Sequence, residues 1–140
     1  MSDVFFKVYG DPKGKGRPKF SKVGNFARAY TPPETENYEA FIKMTALDAA
    51  KGAYLHGAIE AKIDCIYKIP ISWSKRKRKE ALEGIVQCTK KPDADNIAKT
   101  MLDSLNGIIF DDDRQVTVLT VRKFYGETPR VEVTLSEIEQ

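Results

Sequence analysis

Ile59-Glu60-Ala61-Lys62-Ile63-Asp64-Cys65-Ile66-Tyr67-Lys68-Ile69 is the stretch on which the fold turns. Its odd positions are Ile59, Ala61, Ile63, Cys65, Tyr67 and Ile69, with Glu60, Lys62, Asp64 and Lys68 between them. Side chains alternate across a strand, so the pattern is a strand with one buried face. Towards the N-terminus, Val4 to Tyr9 alternates in the same way and reads as a first strand, followed by Gly10-Asp11-Pro12 and a loop rich in Gly and Lys up to Tyr30. Thr31-Pro32-Pro33-Glu34 has the form of a capping box with proline at the first helical position. Tyr38, Phe41, Ile42, Thr45 and Ala49 then fall at helical spacing, and Gly52 is placed to end the helix. Towards the C-terminus, Ser72 or Ser74 caps a short basic helix through Glu83, and Ile97, Met101, Leu102 and Leu105 make the apolar stripe of another, ended by Asn106-Gly107. Val116 to Tyr125 and Val131 to Leu135 are strands joined by a turn around Gly126 and Pro129. The order β-α-β-α-α-β-β predicts one α+β domain over residues 1–140, a small mixed sheet of about four strands with helices packed on it.

Composition excludes several classes. The chain has 140 residues, 41% apolar and 31% charged, enough for one core and too balanced for disorder. Its longest stretch without a charged residue runs from Gly52 to Ile59, whereas a membrane-spanning helix needs roughly 20 apolar residues. Charges at Asp3, Lys7 and Asp11 leave no apolar core for a signal peptide, so a cytoplasmic protein is expected. Cys65 and Cys88 make no disulfide framework and, with one histidine, no zinc cluster; both are expected as reduced packing residues and His56 as a solvated loop residue.

The net charge of +3 conceals an alternation: residues 1–30 carry +5, 68–92 carry +6, 93–113 carry −5 and 114–126 carry +3. Lys13, Lys15, Arg17, Lys19 and Lys22 form one basic stretch, and Lys75, Arg76, Lys77, Arg78 and Lys79 another, with Lys90 and Lys91 just before the acidic block. Such stretches can meet a phosphate backbone.

The acidic block carries the chemistry. In Lys90-Lys91-Pro92-Asp93-Ala94-Asp95-Asn96-Ile97-Ala98-Lys99, aspartates at i and i+2 point about 200° apart on a helix but to the same side of an extended segment. Pro92 biases Lys91 away from helix, and Asp95 is a good N-cap for the helix of Ile97 and Met101. The carboxylates then sit at a helix entrance, with Lys99 one turn on and Asp103 one turn further. Beyond Gly107 come Asp111, Asp112 and Asp113, whose mutual repulsion raises their pKa values. Each aspartate alone has an ordinary reading as a cap, a turn residue or half of a surface pair. Together they suit a hard divalent cation such as Mg²⁺, which takes oxygen ligands. An EF-hand would need an oxygen ligand at Ile97 and glycine at Ala98; Gly10 to Gly16 is one residue short of a P-loop, with glycine where Ser or Thr is required.

Lys91-Pro92-Asp93-x-Asp95-Asn96-x-x-Lys99, Asp103-Ser104-Leu105-Asn106-Gly107 and Asp112-Asp113-x-Gln115-Val116 together resemble the RusA family of Holliday junction resolvases. The Gly16-Arg17-Pro18-Lys19 loop and the Thr31-Pro32 helix start resemble its phage-type members. The resemblance implies a homodimeric, Mg²⁺- or Mn²⁺-dependent endonuclease that cuts four-way DNA junctions in pairs. It implies Asp93, Asp95 and Asp113 as catalytic, metal-binding carboxylates, Asp112 as an alternate ligand, and Lys99 as the catalytic lysine. Strand register counted back from Gln115-Val116 also favours Asp113, which shares a side with Gln115 while Asp112 points away. A nuclease acting more broadly on branched DNA or flaps, and a non-catalytic nucleic-acid-binding module, are the competing readings.

Overall fold

A computed structural model describes residues 3–15, 19–23, 26–30 and 33–139, with backbone alone for 19–23 and 26–30. Its elements are β1 (Val4–Tyr9), β2 (Lys19–Val23), β3 (Phe26–Tyr30), α1 (Pro33–Ala50), β4 (Ile59–Lys68), α2 (Lys75–Leu82), α3 (Ala94–Leu105), a 3-10 turn over Asp113–Gln115, β5 (Val116–Gly126) and β6 (Arg130–Glu137). The α+β order is the expected one, with an addition. The segment read as loop up to Tyr30 contains a hairpin, β2–β3, paired only with itself. Thr31 and Pro32 of the expected capping box lie outside the described residues.

The main sheet has the order β1-β6-β4-β5. β4 is its axis: Ile59, Ala61, Ile63, Cys65 and Tyr67 are buried, alongside Val131, Val133 and Leu135 of β6 and Val4, Phe6 and Val8 of β1. α1 and α3 pack against each other, and α1 lies on β1. α1 presents Tyr38, Ile42, Ala46 and Ala50 inward, a row of i, i+4 neighbours whose small alanines permit close approach. Phe41, expected on the buried face, is instead 47% exposed, because this row falls on the far side of it. α3 buries Ile97, Ala98, Met101, Leu102 and Leu105, and its two buried hydroxyls are satisfied within the helix, Thr100 donating to the Asn96 carbonyl and Ser104 to the Thr100 carbonyl.

β5 and β6 are joined by the expected turn but are not neighbours. β4 lies between them, parallel to β5 and antiparallel to β6. The connection must therefore pass over the end of β4, where the Ile69 amide donates to the Gly126 carbonyl at 3.3 Å. A Cβ on Gly126 would fall 2.5 Å from Ile66 Cγ2, so glycine permits this crossing. Parallel pairing of β4 and β5 requires a long crossover, here α2 and α3, and that crossover carries the acidic block back along the sheet. Cys65 and Cys88 are buried and unpaired, and no described helix is long and apolar enough to cross a membrane.

Candidate active site

The entrance of α3 is fixed from below. Tyr67, buried on β4, donates its hydroxyl to the Pro92 carbonyl at 2.5 Å, which ties the residue before Asp93 to the sheet. Burial, followed by the neighbouring Cys65, Cys88 and Asp93, pushes the Tyr67 phenol well above its ordinary value, so it stays a donor. The Lys91–Pro92 bond is cis.

The expected cap is displaced by two residues. Asp93, not Asp95, is the N-cap, with extended backbone at φ −69° and ψ 154°, and Asp95 belongs to the first helical turn. Both aspartates suit an N-cap, and proline before Asp93 decides that the extended segment ends there and not at Asp95. Asp93 makes no side-chain capping bond from that position. Its carboxylate is thus left without the task that an N-cap usually performs. Asp95 and Lys99, both exposed, likewise have no hydrogen bond or ion pair among the described residues.

The three adjacent aspartates have separate environments. Asp111 accepts from the Tyr54 hydroxyl at 2.5 Å. Asp112 caps the 3-10 turn: its carboxylate accepts from the Arg114 amide at 2.8 Å, and its own amide donates to Gln115 Oε1 at 3.0 Å. Gln115 in turn donates to the Gly57 carbonyl at 3.0 Å, anchoring the turn on the loop before β4. That capping, above all the bond from the Arg114 amide, holds the Asp112 carboxyl below the usual range. Asp113 has the opposite sign: partial burial first, then the adjoining Asp112 and Asp103 carboxylates, raise it. The strand register expected from Gln115 does not apply, because Asp113–Gln115 is a 3-10 turn and not the start of β5.

Asp103 and Asn96 are the residues whose part was least visible in the sequence. Asp103 lies beside Asp113 and pairs with Lys15 Nζ at 3.3 Å, not with Lys99. Asn96 Oδ1 accepts from the Lys15 amide at 2.9 Å. A Cβ on Gly14 would come within 2.2 Å of Asn96 Nδ2, so the loop rests directly on α3 at that point. Two carboxylates therefore stand at the head of α3 and two more, Asp103 and Asp113, about 12 Å further along it, since Asp103 is eight residues beyond Asp95. Among the described residues no three acidic, His or Cys side chains are grouped closely enough to hold one ion.

The head of α3 lies inside the segment that matches a known nuclease family. Residues 9–136 match the family described as Endodeoxyribonuclease RusA. The chain belongs to the RusA family. It is also 34% identical over 140 residues, 99% of either chain, to the Uncharacterized protein YqaN of Bacillus subtilis (strain 168). As a RusA-family member the chain is an endodeoxyribonuclease, a hydrolase of DNA.

The head of α3 suits a hard divalent ion in its donor chemistry. Mg²⁺ commonly keeps several waters and takes only one or two carboxylates together with substrate phosphate, and Asp93 and Asp95 supply that number of free carboxylates. The candidate phosphate-binding cations are unequal. Arg76 pairs with Glu80 at 3.0 Å, Lys79 approaches Glu83 at 3.9 Å, and Lys77 Nζ sits 4.0 Å from the centre of the Trp73 ring. Lys13 lies over the Tyr38 ring at 5.6 Å. Lys75, Arg78, Lys90 and Lys91 have side chains with no partner among the described residues. Arg17 lies outside the described residues, and for Lys19 and Lys22 only the backbone is described.

Proposed function

We propose that this RusA-family chain is a divalent-metal-dependent resolvase that cuts four-way DNA junctions in pairs as a homodimer, in recombination and repair inside the cell. The supporting observation is the head of α3, where Asp93, Asp95 and Lys99 are exposed and have no side-chain partner among the described residues. Charged groups normally gain partners or solvation at little cost, so three together at a proline-fixed helix start suit a charged substrate and its counterion. Mg²⁺ or Mn²⁺ held by Asp93 and Asp95, with Asp113 as the further acidic residue, would supply an activated water and neutralise the scissile phosphate. Lys99 stabilises charge developing on a phosphate or leaving oxygen. Lys75, Arg78, Lys90 and Lys91 hold the DNA backbone against the repulsion of the acidic block. Asp112, occupied with its capping bonds, is the weaker candidate as a ligand. Two cuts across a junction of approximate two-fold symmetry suit a C2 dimer.

The test compares cleavage of a four-way junction with linear, forked, flapped and nicked duplexes at equal salt, with Mg²⁺ and with chelator. Paired, Mg²⁺-dependent cuts in the junction alone are expected. Equal cutting of flaps makes the protein a broader branched-DNA nuclease, and binding without cutting makes it a non-catalytic module.

A further inference from the structure

Lys15 stands in a basic loop and would ordinarily be counted among the cations that face DNA. Its contacts say otherwise. Both ends of the residue are engaged on α3: the amide donates to Asn96 Oδ1 at 2.9 Å, and the ammonium pairs with Asp103 at 3.3 Å. Asn96 and Asp103 are seven residues apart, two helical turns, and so lie on one face. The side chain must therefore run along the helix between them. Gly14 makes this possible, because any Cβ there would collide with the Asn96 side chain. Lys15 is 36% exposed at its side chain and Asp103 25%, so the pair is half-covered and not freely solvated. α3 also packs against the 3-10 turn that carries Asp113, which brings the Asp103 and Asp113 carboxylates into each other's field, and they would separate if left uncompensated.

We propose that Lys15 is a positioning residue of the cleavage site: its ammonium, fixed by the clamp on Asn96, is the countercharge that holds Asp103 and Asp113 side by side against α3. It is not a phosphate contact. The inference rests on the reading of the chain as a metal-dependent junction nuclease. Removal of the ammonium leaves the two carboxylates to repel, and the repulsion falls on the three-residue turn that carries Asp113.

Two measurements on Lys15→Met separate this role from phosphate binding. The first is affinity for a four-way junction in chelator, followed between about 50 and 200 mM salt. The second is the single-turnover cutting rate at saturating junction with Mg²⁺. The salt slope should match the wild type, whereas a lost phosphate contact would flatten it by about 0.9. The saturating rate should fall by roughly 10- to 100-fold, an effect in the chemical step and not in affinity. Lys15→Arg should recover most of that rate, and Asn96→Ala combined with Lys15→Met should be little worse than Lys15→Met alone, since both break one clamp. A flattened slope overturns the proposal, as does an unchanged saturating rate. If the wild type itself does not cut the junction, the functional reading fails instead.

Discussion

Gly14→Ala is a change that the sequence gives little reason to fear and the structure gives a specific reason to expect is harmful. The new methyl would stand 2.2 Å from Asn96 Nδ2 and 2.6 Å from Asn96 Cγ, distances that no side chain tolerates. Asn96 must rotate, which costs about 0.5–1.5 kcal/mol for a side chain driven off its rotamer. It also surrenders the bond from the Lys15 amide, a further loss of about 0.5–1.5 kcal/mol. Restricting the unfolded chain returns about 0.4–1 kcal/mol. The loss prevails by about 1 kcal/mol, which for a domain of this size lowers the melting temperature by roughly 4 °C. A thermal melt followed by circular dichroism measures it. The same substitution made on an Asn96→Ala background should cost nothing, because all three atoms that the methyl would meet are gone. A Gly14→Ala protein that melts at or above the wild type, or an equal loss on both backgrounds, refutes the close docking of the loop on α3.

Three further outcomes follow from the site. Asp113→Asn should abolish cutting without lowering the melting temperature at neutral pH. A carboxyl raised in the fold contributes stability below its unfolded pKa and loses it as pH rises through the folded one, so any advantage of the amide should vanish when the melt is repeated in acid. Asp112→Asn, which preserves an acceptor for the Arg114 amide, should cut nearly as the wild type does, while Asp112→Ala should lose activity as the 3-10 turn loosens; equal loss in both, measured as cutting rate, would make Asp112 a ligand. Neutralising Lys75 and Arg78 should flatten the salt dependence of junction binding more than neutralising Arg76 and Lys79, which already have glutamate partners, and an equal effect in titrations at several salt concentrations would count against that ranking.

The parts of this fold that were legible in advance are those written in local periodicity. β4 announces its buried face by an alternation broken only at Ile66, which is buried as well, α3 its stripe by Ile97, Met101, Leu102 and Leu105, and Gly52 and Gly107, with φ of 86° and 73°, end their helices where expected. What was not legible depends on partners remote in sequence. Nothing local says that β4 will enter between β5 and β6, since a short turn normally joins neighbours. The β2–β3 hairpin pairs with no strand of the main sheet and lacks a strong alternating signal. At the site, the sequence shows that Asp93, Asp95 and Lys99 fall at a helix start, because proline and the apolar stripe that follows mark that start locally. Which aspartate caps α3 differed by two residues, a usual uncertainty at helix ends. The Lys15–Asp103 pair spans 88 residues of sequence, and only the fold brings its members together.

The central claim is that the free charges at the head of α3 perform the hydrolysis, and Asp95→Asn tests it most directly. Cutting and binding of one labelled four-way junction are measured on the same folded preparation, the first in single turnover at saturating Mg²⁺ and the second in chelator. The account predicts that cutting is lost by several orders of magnitude while the junction is bound as tightly as by the wild type or more tightly, because a charge that repels phosphate has been removed. An Asp95→Asn protein that cuts at the wild-type rate, or that loses binding in proportion to cutting with its fold intact, would contradict it.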